Sequence, residues 1–313
     1  MQRTTIARRS LVALAAASVA ARVRAEPAPQ AIGLWPGAPP GGTGPSGPEH
    51  VSAKGSITNV SHPRLLAYRP AKPNGTAILV ISGGGYAHIE AGTESTPCCR
   101  WLQSTATTAF ELIYRLPGEG WPREAPFQDG QRAMRLIRAN ASAGGIDPAR
   151  IGVIGFSAGG HLAGMTAALP DKQWYAPADA ADAMSARPDF AGLIYPVLTM
   201  MPPYDRTHSR RSIIGEHPSD AESAAFSVER QVTERTPPAF LAQAADDPIS
   251  PIENSLLMFA ALRAAHVAAE LHVFQSGGHG WGMGHPRTEV VTWPILFRNW
   301  AAHNQLLPLA ANG

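Results

Sequence analysis

Ile151-Gly152-Val153-Ile154-Gly155-Phe156-Ser157-Ala158-Gly159-Gly160-His161-Leu162-Ala163-Gly164-Met165 joins a run rich in branched residues to a run of small and apolar ones. The first part has the composition of a strand and the second suits a helix. Between them lies Gly155-x-Ser157-x-Gly159. A serine on a sharp strand-to-helix turn takes strained backbone angles, and a glycine two residues to either side lets neighbouring backbone come close. The hydroxyl then projects above a sheet, while the helix N-terminus turns its N–H groups and positive dipole end toward developing negative charge. The stretch predicts an α/β fold with Ser157 as a nucleophile.

Working outward, runs rich in branched and aromatic residues recur at 65–69, 76–82, 108–114, 151–155, 190–198, 239–243 and 269–274. These are strand candidates. Helical periodicity appears between several of them, at 131–141 through Ala133, Met134, Leu136 and Ile137, and at 254–265 through Leu256, Leu257, Phe259 and Leu262. Such alternation implies a mainly parallel sheet with helices on both faces, in one domain over residues 51–313. Residues 26–50 are crowded with Pro and Gly, as in Trp35-Pro36-Gly37-Ala38-Pro39-Pro40-Gly41-Gly42, and cannot propagate a helix or a central strand. They read as an arm lying on the domain.

In a parallel sheet chemistry gathers at the carboxyl ends of the strands. After the second strand candidate stands Ser82-Gly83-Gly84-Gly85-Tyr86, whose bare backbone N–H groups can approach a ligand. With the Ser157 turn downstream, Gly83, Gly84 and Ala158 become the expected donors to an oxyanion. A serine hydroxyl needs a base near pH neutrality, with a carboxylate to orient it. Of eleven histidines, His279 fits best, because Ser276-Gly277-Gly278-His279-Gly280-Trp281-Gly282 follows the last strand candidate and its glycines allow a tight returning loop. His161, one helical turn after Ser157, reads as a packing or hydrogen-bonding residue. For the carboxylate, Asp246 and Asp247 both follow the strand at 239–243. Pro248 confines Asp247 to extended backbone, which favours Asp247. The order Ser157, Asp247, His279 differs from that of the two best-known protease types.

The full chain has 313 residues, 44% hydrophobic and 16% charged, with a formal net charge of +2. Its first 25 residues hold five arginines (3, 8, 9, 22 and 24) and no acidic residue; without them the 26 basic residues fall to 21 against 24 acidic, about −3. Arg8-Arg9 leads into the apolar run 11–20, and Val23-Arg24-Ala25 offers small residues to a signal peptidase. Residues 1–25 therefore read as a cleaved export signal of twin-arginine type, placing the enzyme in the periplasm or outside the cell. The apolar run is half the length that a bilayer demands, so no stable membrane anchor is expected. Scattered arginines without a basic stripe argue against nucleic acid. The two cysteines, Cys98 and Cys99, are adjacent, which excludes a disulfide scaffold and favours two packed thiols.

These runs together resemble the α/β-hydrolase superfamily, specifically the bacterial carbohydrate esterases that include acetylxylan esterases and dienelactone-hydrolase-like feruloyl esterase domains. The resemblance rests on Ser82-Gly83-Gly84-Gly85-Tyr86, Tyr114-Arg115-Leu116-Pro117, Asp129-Gly130-Gln131-Arg132-Ala133, the Ser157 turn, Thr236-Pro237-Pro238, Asp247-Pro248-Ile249-Ser250-Pro251 and the His279 loop. Ser82 stands where relatives often carry proline or histidine. The resemblance implies an α/β-hydrolase fold with Ser157 as nucleophile, Asp247 (four residues before Pro251) as orienting acid and His279 as base. No metal or organic cofactor is implied. Tyr86, His88 and Trp281 are candidate substrate contacts. Trp121 and Trp174 are further aromatic residues that can stack on a sugar or pack internally, and residues 200–229, with Arg206, Arg210 and Arg211, are a candidate partial lid. The expected activity is removal of acetyl or other short acyl groups from an acylated carbohydrate such as acetylxylan. A feruloyl or general short-chain carboxylesterase is the alternative within the class. A non-catalytic carbohydrate-binding protein on the same fold is the alternative outside it.

Overall fold

The computed structural model describes residues 28–307, so the export segment and the last six residues lie outside it. In chain order the strands are β1 (Gln30–Gly33), β2 (His50–Val51), β3 (Ile57–Thr58), β4 (Arg64–Tyr68), β5 (Ala77–Ile81), β6 (Thr108–Ile113), β7 (Ile151–Phe156), β8 (Phe190–Ile194), β9 (Ala239–Ala244) and β10 (Ala269–Phe274). β2 and β3 form a small ribbon, and the rest form one sheet in the order β1-β4-β6-β5-β7-β8-β9-β10. β1 and β4 pair antiparallel with each other, as do β4 and β6; every later pairing is parallel. Each of the seven strand candidates is a strand of this sheet.

The helices are α1 (Ser95–Ser104), α2 (Ala125–Ala139), α3 (Ala158–Ala168), α4 (His208–Ile214), α5 (Asp220–Ala225), α6 (Glu253–Ala264) and α7 (Trp293–His303). Alternate residues along the central strands serve opposite faces. Leu79, Val153 and Leu241 join Met134 of α2, Leu162 of α3 and Met258 of α6 in one core. Ile78, Ile154 and Phe240 join Leu102 of α1 and Phe297 of α7 in the other. β5 to β9 are buried along their whole length, which explains why they read as unbroken apolar runs. The adjacent thiols Cys98 and Cys99 are unbonded and buried in the second core.

Three boundaries differ from the sequence reading. The arm contributes β1, an edge strand on β4, so its described residues, 28–50, do not merely lie on the sheet. They are pinned by a fully buried pair, Arg115 Nη2 with Asp129 Oδ1 at 2.8 Å, to which Trp35 Nε1 donates at 2.9 Å and from which Arg115 Nη1 reaches Pro40 O. α2 begins six residues earlier than its apolar periodicity, because Gln128, Asp129, Gln131 and Arg132 are buried polar side chains that mask the pattern. β8 stops at Ile194 because Tyr195 takes φ 37° and Pro196 offers no N–H.

Candidate active site

Ser157 sits between β7 and α3 with φ 51° and ψ −118°, strained for a non-glycine residue. The flanking glycines have a steric reason. A Cβ on Gly155 would stand 2.2 Å from Gly159 O, and one on Gly159 would stand 2.2 Å from Ile81 O and 2.5 Å from Ser82 O. The turn and the loop after β5 are thus packed backbone against backbone. Ser82 Oγ donates to Ser95 Oγ at 2.6 Å and accepts from Ser95 N–H at 3.0 Å, which fastens that loop to the start of α1.

His279, in the loop after β10, places Nε2 2.8 Å from Ser157 Oγ and Nδ1 2.7 Å from Asp247 Oδ2. A carboxylate only accepts, so Nδ1 carries the hydrogen and Nε2 receives the serine hydroxyl. Asp247 is itself held by N–H groups of Ile249 and Ser250, both 2.8 Å from Oδ1, and by Gln243 Nε2, 3.0 Å from Oδ2. Asp246 does different work, accepting from Gly278 N–H at 2.8 Å. Three loops at the carboxyl ends of β7, β9 and β10 therefore converge on one serine.

Above Ser157 and His279 opens a pocket of about 480 Å³, whose walls include Gly84, His88, Glu94, Val197, His208 and Ile249. The N–H groups of Gly84 and of Ala158, the first residue of α3, find no acceptor among the described residues. Gly83 N–H instead donates to Glu94 Oε2 at 2.6 Å. Burial pushes the Glu94 carboxyl up to about 7, against the opposing pull of Gly83 N–H, Tyr195 and His279. Among the described residues no group of three or more His, Cys, Asp or Glu is arranged to hold a metal ion, and no helix is long and apolar enough to cross a membrane.

The BD-FAE family model matches residues 66–262, well over half of the chain. The chain belongs to the BD-FAE family. Among curated relatives it is 37% identical over 205 residues to endo-1,4-beta-xylanase B of Butyrivibrio fibrisolvens, covering 65% of this chain and 32% of that protein. It is 29% identical over 248 residues to an acetylxylan esterase of Xylanibacter ruminicola, covering 78% and 46%. The chain thus spans about a third and just under half of those two relatives. Among solved structures it resembles an acetyl ester-xyloside bifunctional hydrolase from Caldicellulosiruptor lactoaceticus, with 33% identity, a TM-score of 0.77, and coverage of 90% of this chain and 98% of that one. A thermophilic esterase from Thermogutta terrifontis gives 25% identity, a TM-score of 0.68, and coverage of 84% and 95%. The fold is that of the α/β-hydrolases.

In this BD-FAE chain several expected contacts lie elsewhere. Tyr86 is wholly buried beneath the pocket and its hydroxyl bonds His161 Nδ1 at 2.7 Å, so it does not face a substrate. His161 Nε2 lies 2.7 Å from Phe226 O, an acceptor, so Nε2 carries the ring hydrogen and Nδ1 accepts from Tyr86. His161 is the structural residue its position suggested. Trp281 is 2% exposed and packs edge-on against Tyr195, 4.4 Å between centroids, behind His279. Trp121 is buried with Nε1 donating to Val60 O, and Trp174 stacks on Phe127, so neither aromatic ring is free for a sugar. His88 does reach the rim, where Nε2 lies 2.9 Å from Glu90 Oε1. From residues 200–229 the pocket receives Thr207, His208 and Ser209, whereas Arg210 turns aside to Asp205 and Gly215 O. Glu94 and Tyr195 were invisible as site residues in the sequence. A lone glutamate before a helix and a tyrosine after a strand carry no motif, and only the crossing of their loops brings them to Ser157.

Proposed function

We propose that this chain is a serine carboxylic ester hydrolase that removes acetyl or similarly short acyl groups from carbohydrate, acylated xylan being the model substrate. The observation that carries the reading is the continuous hydrogen-bond chain from Asp247 through His279 to Ser157 at the floor of an open pocket. Ser157 Oγ attacks the ester carbonyl while His279 Nε2 takes its proton. The oxyanion forms beside the unpartnered N–H groups of Gly84 and Ala158, and losing one such donor typically costs about 10²–10³ in turnover. His279 then protonates the departing sugar hydroxyl, leaving an acyl-serine. A water that gives its proton to His279 Nε2 attacks the acyl carbon, and collapse returns the proton to Ser157 and frees the acid. Asp247 keeps Nδ1 protonated throughout and balances the imidazolium.

The names of relatives and neighbours, an acetylxylan esterase and an acetyl ester-xyloside hydrolase among them, support the substrate class. The rim supports it too, since His88, Glu90 and His208 offer hydroxyl-binding groups beside the apolar walls of Ala87, Val197 and Ile249. Export through the arginine-rich leader would place the enzyme where polysaccharide is met. The test is a panel of acetyl to octanoyl aryl esters beside acetylated xylan, with released acid measured for wild type and Ser157→Ala. Ser157-dependent release from acetyl esters and xylan is expected. Activity confined to long-chain or feruloyl esters would sink the substrate choice, and the absence of a Ser157-dependent fluorophosphonate adduct would sink the enzyme.

A further inference from the structure

The reaction as written leaves one pocket group unused. Glu94 is 3% exposed and precedes α1, yet its carboxyl forms part of the pocket wall beside Ser157. Oε2 accepts from Gly83 N–H at 2.6 Å, and Oε1 lies 2.9 Å from Tyr195 Oη. Tyr195 Oη accepts in turn from Gly282 N–H at 3.0 Å, three residues beyond His279, and its ring lies 5.0 Å from the His279 ring, centroid to centroid. One carboxyl therefore bridges the glycine loop after β5 to the histidine loop after β10, with the end of β8 between them. The first loop supplies the Gly84 N–H and the second the proton acceptor. Among the described residues Glu94 is the side chain whose hydrogen bonds join those two loops, beside a backbone contact at Gly282, where a Cβ would stand 2.2 Å from Thr93 O.

The carboxyl also lies close to Ser157. Its Oε2 stands 3.2 Å from where a Gly83 Cβ would be, and the Ser157 Cβ stands 2.7 Å from the same point. A shift of Glu94 therefore moves the backbone beside which the oxyanion forms on Ser157's substrate. Both carboxyl oxygens act as acceptors, Oε2 from Gly83 N–H and Oε1 from the Tyr195 hydroxyl, whose oxygen accepts in turn from Gly282 N–H. The titratable groups facing it are His279 from the loop after β10, Glu90 from its own loop, Tyr195 at the end of β8 and Tyr114 at the end of β6. Of these His279 becomes the cation, since it takes the Ser157 proton during attack.

We propose that Glu94 is a positioning residue for ester hydrolysis, whose carboxyl ties the oxyanion loop to the histidine loop. This rests on the reading of Ser157 and His279 given above. The experiment compares wild type, Glu94→Gln, Glu94→Ala and Tyr195→Phe on an aryl acetate between pH 5 and 10, with circular dichroism as a check of folding and fluorophosphonate labelling to count reactive Ser157. Glutamine keeps the length of the side chain and an oxygen to accept from Gly83 N–H. Glu94→Ala is expected to lower kcat by about tenfold or more with KM within about threefold, and Glu94→Gln to keep kcat within about threefold at pH 6. Tyr195→Phe, which leaves the backbone of both loops in place, is expected to lower kcat several-fold. The proposal is overturned if Glu94→Gln loses as much as Glu94→Ala, or if Glu94→Ala and Tyr195→Phe turn over like wild type. A wild type that forms no Ser157 adduct overturns the esterase reading and this one with it; an intact adduct with indifferent Glu94 variants overturns this one alone.

Discussion

Asp246 and Asp247 are neighbours in the chain that grip adjacent residues of one loop, Asp246 holding Gly278 N–H at 2.8 Å and Asp247 holding His279 Nδ1 at 2.7 Å. The first fixes the backbone of the loop and the second fixes the tautomer of the base. Asp247→Asn keeps the shape but offers the wrong partner to Nδ1, so kcat is expected to fall by about 10⁴ with KM little changed. Asp246→Asn keeps an acceptor for Gly278 and is expected to stay within about tenfold of wild type, since a single backbone contact is at stake. Steady-state kinetics on an aryl acetate checks both, and equal losses would show that the two aspartates share one role.

Backbone contact between the Ser157 turn and the loop after β5 leaves no room at Gly159. Gly159→Ala would place a methyl 2.2 Å from Ile81 O and 2.5 Å from Ser82 O. Neither carbonyl can rotate away, so the loss of stability is expected at about 1–3 kcal/mol or more, with a larger loss of activity because Ser82 leads into the oxyanion loop. Thermal unfolding and kcat/KM together test this. A variant as stable and active as wild type would mean that the two loops are not in contact.

The buried pair Arg115 and Asp129 anchors the arm, with Trp35 bonded to the same carboxylate. Asp129→Ala leaves the guanidinium uncompensated in the core and is expected to cost about 3–5 kcal/mol. Limited proteolysis should then cut residues 26–50 first, as the bond from Trp35 and the contact at Pro40 O both depend on this pair. Undiminished protease resistance would refute the anchor.

Glu94 and His161 impose opposite pH dependences on folding. Glu94 is raised from an ordinary 4.5 to about 7 by burial. Its stabilisation is complete below pH 4.5 and is lost as pH rises through 7, on the order of 3 kcal/mol in all. His161 is lowered from 6.5 to about 4, again by burial. Its contribution is present above pH 6.5 and is lost as pH falls through 4, by a similar order of magnitude. Between pH 4.5 and 6.5 the two slopes offset each other. Glu94→Gln removes one of them, so its Tm is expected to drop more steeply than that of wild type on acidification from pH 6.5. Parallel Tm curves would show that neither group is tuned in this way.

By itself the sequence determined the elements whose geometry is local. Gly155-x-Ser157-x-Gly159 between a branched run and a small-residue run determined the turn that holds Ser157, because strained backbone and close approach demand those residue types wherever the chain goes next. The seven apolar runs determined a mostly buried parallel sheet for the same reason: each central strand needs apolar residues on both faces. The glycine-flanked His279 was legible as well. Tertiary structure alone decided where side chains point and what water reaches. Pro248 favoured Asp247 without excluding Asp246, and the partners His279 and Gly278 separate them in space. Tyr86 and Trp281 sit in glycine-rich runs that suggested substrate contact, yet packing against His161 and Tyr195 seals both. The N–H of Gly83 is diverted to Glu94, eleven residues away in sequence and brought back by the turn into α1. Periodicity and motifs record what a residue does to its own backbone; hydrogen-bond partners and burial depend on which loops cross, and that is fixed only when eight strands align and their carboxyl ends meet.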